Sequence, residues 1–262
     1  MCRRSAPARG RLPPGNVIGA QPLPGRKDGV GAMKVLGLLG GMSWESTATY
    51  YQQLNRGVRD RLGGLHSAAC VIHSVDFAEV EEFQSRGDWE AAGAYLARRA
   101  RQLEAAGAEG ILLCTNTMHR VASTIQDGVA VPLLHIADGT ADALARAGVR
   151  RVALLGTRYT MEQAFYRERL ERRGFTVLVP EKEQRDVVHA VIYDELCRGE
   201  VRDDSRRAYV DIVRALAGRG AEAVILGCTE IGLLLGPDTS PLPVFDTTLL
   251  HVEAALDWAL AD

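Results

Sequence analysis

The sequence predicts an α/β fold made of two similar, pseudo-symmetric lobes. Each lobe is a mostly parallel sheet flanked by helices, with a functional site in the cleft between them. Three observations predict it. From Met33 onward, short apolar runs alternate with helix-length amphipathic segments. Strands that read as continuous apolar runs are buried on both faces, as in parallel sheets covered by helices. Next, the chain contains its own near-copy: Gly107-Ala-Glu-Gly-Ile-Leu-Leu-Cys-Thr-Asn matches Gly220-Ala-Glu-Ala-Val-Ile-Leu-Gly-Cys-Thr at an offset of 113 positions with no gap. Such self-similarity marks a repeated structural unit. Last, each copy ends its apolar run in a polar cluster, Thr115-Asn-Thr and Cys228-Thr-Glu. Ligands of open α/β sheets sit there, beyond the carboxyl ends of the strands.

The elements follow in order. Residues 1–32 hold Arg3, Arg4, Arg9, Arg11, Arg26 and Lys27 among Pro and Gly. They lack the apolar stretch of a secretory signal and the surface needed to fold, so they read as a disordered extension. Met33 is the expected natural start, because Lys34-Val-Leu-Gly-Leu-Leu opens at once as a strand; a basic targeting extension is the alternative. Strands are expected at 35–39, 69–73, 110–114, 132–135, 151–155, 176–179, 223–227 and 243–245. The helices between them carry apolar residues at helical spacing, as in Tyr95, Leu96, Leu103 and Ala106. Val35-Leu-Gly-Leu-Leu-Gly resembles Val152-Ala-Leu-Leu-Gly, and Pro132-Leu-Leu-His echoes Pro243-Val-Phe-Asp. The first lobe is therefore expected over 33–137 and the second over 138–246. A last helix near Thr248–Ala261 returns to the first lobe, which takes in 247–262.

Composition bounds the function. The chain has 262 residues, 47% hydrophobic and 24% charged, with a formal net charge of −2. That balance sets up no field for nucleic acid or an anionic membrane. No apolar run approaches the roughly 18–20 residues that span a bilayer. Cys2, Cys70, Cys114, Cys197 and Cys228 show no metal-ligand spacing. This suits a reducing cytoplasm, with any working cysteine acting as a thiol. The expected partner is a small molecule, and a homodimer is left open.

Thr115-Asn-Thr and Cys228-Thr-Glu each stand where a strand gives way to a helix. Free backbone N–H groups there suit a carboxylate, and Thr and Asn add donors and caps. A thiol at such a terminus is expected to have a lowered pKa, so Cys228 could move a proton at a substrate carbon. The repeat maps Thr115 onto Cys228 and Cys114 onto Gly227. Side chains alternate along a strand, so Cys114 and Thr115 should face different sides unless the strand has already ended. His119 and Glu230, just downstream, could orient or tune the pair. The bland readings are a buried small hydrophobe for either cysteine, helix caps for Thr115, Asn116 and Thr117, and a satisfied histidine for His119. The glycine-rich Gly37-Leu-Leu-Gly-Gly-Met is neither a dinucleotide fingerprint nor a P-loop. The three lysines, Lys27, Lys34 and Lys182, lie in the tail, at a strand start and in a polar loop. None is placed as a pyridoxal Schiff-base lysine, and no cluster has zinc spacing. A site with no cofactor and no metal is the economical reading.

Leu38-Leu-Gly-Gly-Met-Ser-Trp-Glu-Ser-Thr, Thr115-Asn-Thr-Met-His and Gly227-Cys-Thr-Glu resemble the cofactor-independent aspartate/glutamate racemase superfamily over nearly all of 33–262. Gly63-Gly-Leu-His-Ser, His73-Ser-Val-Asp-Phe and Thr157-Arg-Tyr-Thr-Met-Glu-Gln resemble its broad-specificity amino-acid branch. The resemblance implies the two-lobed fold and racemisation of an amino acid by two opposed cysteines. One deprotonates Cα and the other protonates the far face. It also implies Met42, Gln53, Asn116, Thr117 and Thr229 as substrate contacts. The chain departs from the pattern in three places. Thr115 stands where the first cysteine is expected, with Cys114 one residue early. The arginine that grips an acidic side chain has no counterpart in Asp76-Phe-Ala-Glu-Val-Glu-Glu. The later lysine is matched by Cys197. The expectation is that Cys228 does the main proton transfer and Thr115 serves the other face, with Cys114 as a substitute. A broader or neutral substrate is favoured over a strictly acidic one. A related Cys-dependent decarboxylase or isomerase, and a non-catalytic carboxylate-binding protein, are the competing readings.

Overall fold

The computed structural model describes residues 33–261. The expectation for residues 1–32 lies outside the described residues. Along the chain run β1 (Leu36–Gly40), α1 (Trp44–Leu62), β2 (Cys70–Ser74), α2 (Phe77–Arg86), α3 (Trp89–Ala105), β3 (Gly110–Leu113), α4 (Ala122–Gln126), β4 (Leu133–Leu134) and α5 (Ile136–Arg146). They are followed by β5 (Arg151–Gly156), α6 (Arg158–Glu162), α7 (Ala164–Glu171), β6 (Thr176–Leu178), α8 (Lys182–Asp194), α9 (Asp203–Gly218), β7 (Ala223–Gly227), β8 (Val244–Asp246) and α10 (Thr247–Leu260). Every expected strand is present, with ends moved by at most one residue. His135 leaves the fourth strand because its imidazole caps α5, accepting the Ala137 N–H at 3.2 Å.

The strands form two four-stranded sheets, ordered β2-β1-β3-β4 and β6-β5-β7-β8, with every pairing parallel. The order repeats, so the internal duplication is a duplication of topology. In each sheet the first strand of the repeat lies between the second and the third. The connections leaving its C-terminal end therefore diverge and open a crevice.

Strand alternation sorts the core. In the first sheet Leu36, Leu38, Leu112 and Cys114 pack with Tyr50, Leu54, Val252, Ala255, Leu256 and Ala259 of α1 and α10. Leu39, Ile111 and Leu113 face the opposite way, onto Leu96, Ala100 and Leu103 of α3. In the second sheet Ala153, Leu155, Val224 and Leu226 meet α8 and α9, while Val152, Leu154, Ala223 and Ile225 meet α5 and α7. Each fully buried Leu or Ile contributes about 1.5–3 kcal/mol. The α10 helix thus completes the core built by β1, β3 and α1, although it follows β8 in the chain. Among the described residues, no helix is long and apolar enough to cross a membrane.

Candidate active site

The loops that leave β1, β3, β5 and β7 meet at one cavity of about 480 Å³, its mouth included. The β1 loop brings Met42 and Ser43, the β3 loop brings Thr115, Asn116 and Thr117, the β5 loop brings Thr157, and the β7 loop brings Cys228, Thr229 and Glu230. These are the crevice loops of both sheets, so each lobe supplies half of the wall. The β1 loop is folded tightly by two glycines. A Cβ on Gly40 would lie 2.4 Å from the Thr47 side chain, and Gly41 sits at φ +93°, where one would meet the Val75 carbonyl oxygen at 2.2 Å. The Gly41 N–H donates to Thr47 Oγ1 at 2.8 Å. Ser43 then caps α1, accepting the Ser46 N–H at 3.3 Å. Ser46 Oγ donates to the Cys114 carbonyl at 3.1 Å, which ties α1 to the end of β3.

The second lobe presents a thiol on a carboxylate. Cys228 Sγ donates to Glu230 Oε2 at 2.9 Å, and Thr229 Oγ1 donates to the same oxygen at 2.9 Å. Across the cleft, Ser43 Oγ donates to Glu230 Oε1 at 2.9 Å. Burial raises the Cys228 thiol well above its ordinary pKa, and the charge and hydrogen bond of Glu230 raise it further. This corrects the expected lowering of the thiol pKa. The turn after it, Thr229–Leu233, is one short 3₁₀ segment, and a carboxylate beside a buried thiol outweighs its dipole.

The first lobe presents a hydroxyl. The Thr115 side chain lines the cavity, and among the described residues its hydroxyl has no hydrogen-bond partner. Its backbone is held from behind. His119 Nε2 accepts the Ile136 N–H at 3.2 Å, so Nδ1 carries the proton and donates to the Thr115 carbonyl at 2.8 Å. Burial pushes the His119 pKa well down, and the neighbouring His135 and His251 push the same way. Asn116 Nδ2 donates to Thr247 Oγ1 at 3.0 Å, and Thr247 Oγ1 donates to the Leu226 carbonyl at 2.8 Å. Asn116 Oδ1 is buried without a partner among the described residues. Thr117 Oγ1 and Thr157 Oγ1 share a hydrogen bond of 3.1 Å across the lobes.

The structure therefore gathers Met42, Thr115, Asn116, Thr117, Cys228, Thr229 and Glu230 around one cavity. Two expected residues lie elsewhere. Cys114 is fully buried among Leu38, Tyr50, Leu112 and Ala255, with Sγ directed at the Leu112 carbonyl at 3.7 Å. Alternation one residue before Thr115 sends it into the core, so it is corrected from a substitute proton donor to a packing residue. Gln53 is a half-buried residue of α1 outside the cavity wall. His119 stands behind Thr115 rather than on the wall, and supports its backbone. Sequence reasoning missed Ser43, Gln84 and Thr157, and with them Phe77, Ile192 and Tyr193, which make much of the remaining wall; Cys197, matched to the family's later lysine, lies on it too. Thr157 had a signal, since the repeat makes the end of β5 equivalent to the end of β1. Ile192 and Tyr193 had none, because only the packing of α8 brings them in. Among the described residues no lysine or arginine lines the cavity. Among the described residues no group of three or more His, Cys, Asp or Glu is placed to hold a metal ion.

The model of the Asp/Glu/hydantoin racemase family matches residues 39–255. A Yersinia pestis structure described as a candidate Asp/Glu racemase is 50% identical, with a TM-score of 0.83 over 87% of this chain and 100% of that one. An aspartate racemase homologue from Pyrococcus horikoshii OT3 is 35% identical, with a TM-score of 0.77 over 87% of this chain and 99% of that one. The broad-specificity amino-acid racemase RacX of Bacillus subtilis is 23% identical over 169 residues, which cover 62% of this chain and 70% of RacX. With the duplicated sheets, the crevice loops and the matched span in agreement, the chain belongs to the Asp/Glu/hydantoin racemase family.

Proposed function

We propose that this chain is an amino-acid racemase that works without pyridoxal phosphate and uses Cys228 as its principal proton-transfer group. One observation carries the reading: the Cys228 thiol bonded to Glu230 shares a cavity with the unpartnered Thr115 hydroxyl of the other lobe. The thiol proton passes to Glu230 Oε2, and the thiolate removes the Cα proton. The Cα–H electron pair then delocalises into the substrate carboxylate. The opposite face takes a proton from Thr115, directly or through water. Solvent resupplies that proton, and the proton held by Glu230 returns to solvent, so the cycle has no net proton change. The substrate ammonium is the partner of the orphaned Asn116 Oδ1. Neither Lys34 nor Lys182 lines the cavity, whereas pyridoxal chemistry needs a Schiff-base lysine.

The wall residues Met42, Phe77, Ile192, Tyr193 and Cys197 suit an uncharged side chain. An acidic one would be buried without a counter-charge, at a cost of several kcal/mol. This supports neutral or broad specificity. The test is Cα–deuterium uptake in D₂O across a panel of amino acids. Exchange with inversion that disappears in Cys228→Ser supports the reading, and exchange undiminished in that variant ends it. One observation favours a second reading, proton transfer on one face only: the hydroxyl at Thr115 is a far weaker acid than a thiol. Exchange at Cα without inversion would establish it.

A further inference from the structure

A second cavity opens on the far side of His119, with a volume of about 740 Å³ including its mouth. It is lined by Arg120, Arg169 and Arg172 with His135, Gln126 and Phe165, and no acidic side chain faces it. Among the described residues only Arg169 of the three is neutralised, by two 2.7 Å bonds to Asp138. The Arg120 guanidinium lies 4.1 Å from the centre of the Trp89 ring, which orients it without cancelling its charge. Arg172 donates Nε to the Glu168 carbonyl at 3.2 Å, and among the described residues it has no carboxylate partner. The arginines of α9 differ: Arg206, Arg207 and Arg214 each pair with an aspartate three residues earlier. His135 uses Nδ1 to accept the Ala137 N–H. Its other ring nitrogen has no protein partner among the described residues.

The two uncompensated charges come from different lobes. Arg120 belongs to the short turn Thr117–Val121 that follows β3, and Arg172 is the C-cap of α7. We propose that this groove is a binding site for a small polyvalent oxyanion, of the phosphate or polycarboxylate class, gripped by Arg120 and Arg172 together. Planar guanidinium forks match both kinds of oxyanion. Phe165 and Leu133 supply an apolar wall for the body of such a ligand. An anion held by both arginines bridges the lobes beside the histidine that supports Thr115. The inference is independent of the racemase reading, because it concerns a site that lacks Cys228 and Thr115.

The test is thermal unfolding of the whole chain titrated with inorganic phosphate and, separately, with citrate, at constant ionic strength against chloride. A ligand that binds only the folded state raises Tm saturably. The expected result is a saturable rise with at least one of the two anions, and the better anion identifies the class. Arg120→Gln and Arg172→Gln should each raise the half-saturating concentration at least fivefold. Arg207→Gln and Cys228→Ala should leave it unchanged. The proposal is overturned if neither anion gives a saturable rise, or if the wild-type half-saturation survives in both groove variants.

Discussion

Ser43 Oγ donates a hydrogen bond to Glu230 Oε1 at 2.9 Å, which joins the loop after β1 in one lobe to the loop after β7 in the other. The second oxygen of the same carboxylate receives the Cys228 thiol at 2.9 Å. Lobe contact and hydrogen-bond acceptor of the thiol are therefore one group. A hydrogen bond to a charged group contributes about 1.5–3 kcal/mol. Ser43→Ala should lower kcat/KM about 10-fold or more, and Ser43→Thr should restore most of it in steady-state assays. Equal losses in both variants would show that the hydroxyl is not what matters.

The carboxylate raises the thiol by its charge and by its hydrogen bond. Glu230→Gln removes the charge, so the Cys228 pKa should fall. Alkylation of Cys228 by iodoacetamide, followed against pH by mass spectrometry, should move at least one pH unit lower. Racemisation should drop about 10²-fold, the usual scale for a lost acid–base partner. A more reactive thiol in a slower enzyme is the signature expected.

Thr115 and Cys114 are adjacent in the chain and have opposite surroundings. Thr115→Val keeps the volume and removes the free hydroxyl, and should cut inversion about 10²-fold. Thr115→Cys should regain activity by placing a stronger acid on that face. Cys114→Ser should leave kcat nearly unchanged and cost about 1–3 kcal/mol of stability, because it buries a polar hydroxyl in the core. Denaturant unfolding measures the second effect. Full activity of Thr115→Val in both directions would remove Thr115 from the mechanism.

Specificity should follow the cations that the wall lacks. Cys197 lines the cavity, and burial holds its thiol up at about 12, with Glu230 and Glu45 adding to the rise. Cys197→Lys should raise kcat/KM for aspartate or glutamate relative to a neutral amino acid of similar size by about 10-fold. Competition assays with paired substrates measure the ratio. No change in it would place the side chain of the substrate elsewhere.

Three histidines behind Thr115 set the acid limit of stability. His135 and His251 are held at about 3 and about 4, by burial first, and His119 is pushed well down for the same reason. Arg169 adds to the lowering at His135. At His251 the Leu134 carbonyl and Asp138 oppose it. Folded values below the unfolded 6.5 mean that the unfolded chain binds more protons between them. Stability is therefore present above about pH 6.5 and lost as pH falls from there towards 4. Each histidine adds a slope of up to about 1.4 kcal/mol per pH unit. His251 Nε2 donates to the Leu134 carbonyl at 2.7 Å, so the neutral ring accepts the Tyr50 hydroxyl at Nδ1, at 2.8 Å. The double variant Tyr50→Phe, His251→Leu should flatten the dependence by about one proton in urea unfolding at pH 5 to 7.

The fold is legible in the sequence because alternation of apolar runs and the 113-residue repeat act together. Either signal alone leaves the sheet order open, and together they place two polar strand ends at the same topological point. The pairing of Thr115 with Cys228 comes from the repeat, and both line the cavity. What was not legible depends on packing. Tyr193 reaches the wall because α8 covers β5, and nothing in its local pattern says so. The raised thiol pKa depends on how deeply Cys228 is buried beside Glu230, and Cys-Thr-Glu as letters carries no depth. One strand end moved where a side chain prefers to cap, as His135 does at the start of α5.

The seat of α10 has a consequence for how the protein is made. Its Trp258 ring lies where a Cβ on Gly110 would come within 2.6 Å, and its Leu256 reaches the same distance class at Gly57. Until that helix emerges from the ribosome, β1, β3 and α1 expose an oily face with nothing to cover it. The later half of the chain is meanwhile free to assemble. Docking of α10 is therefore a step that waits on both repeats, and a nascent chain stalled shortly before Thr247 should be a strong client for chaperones.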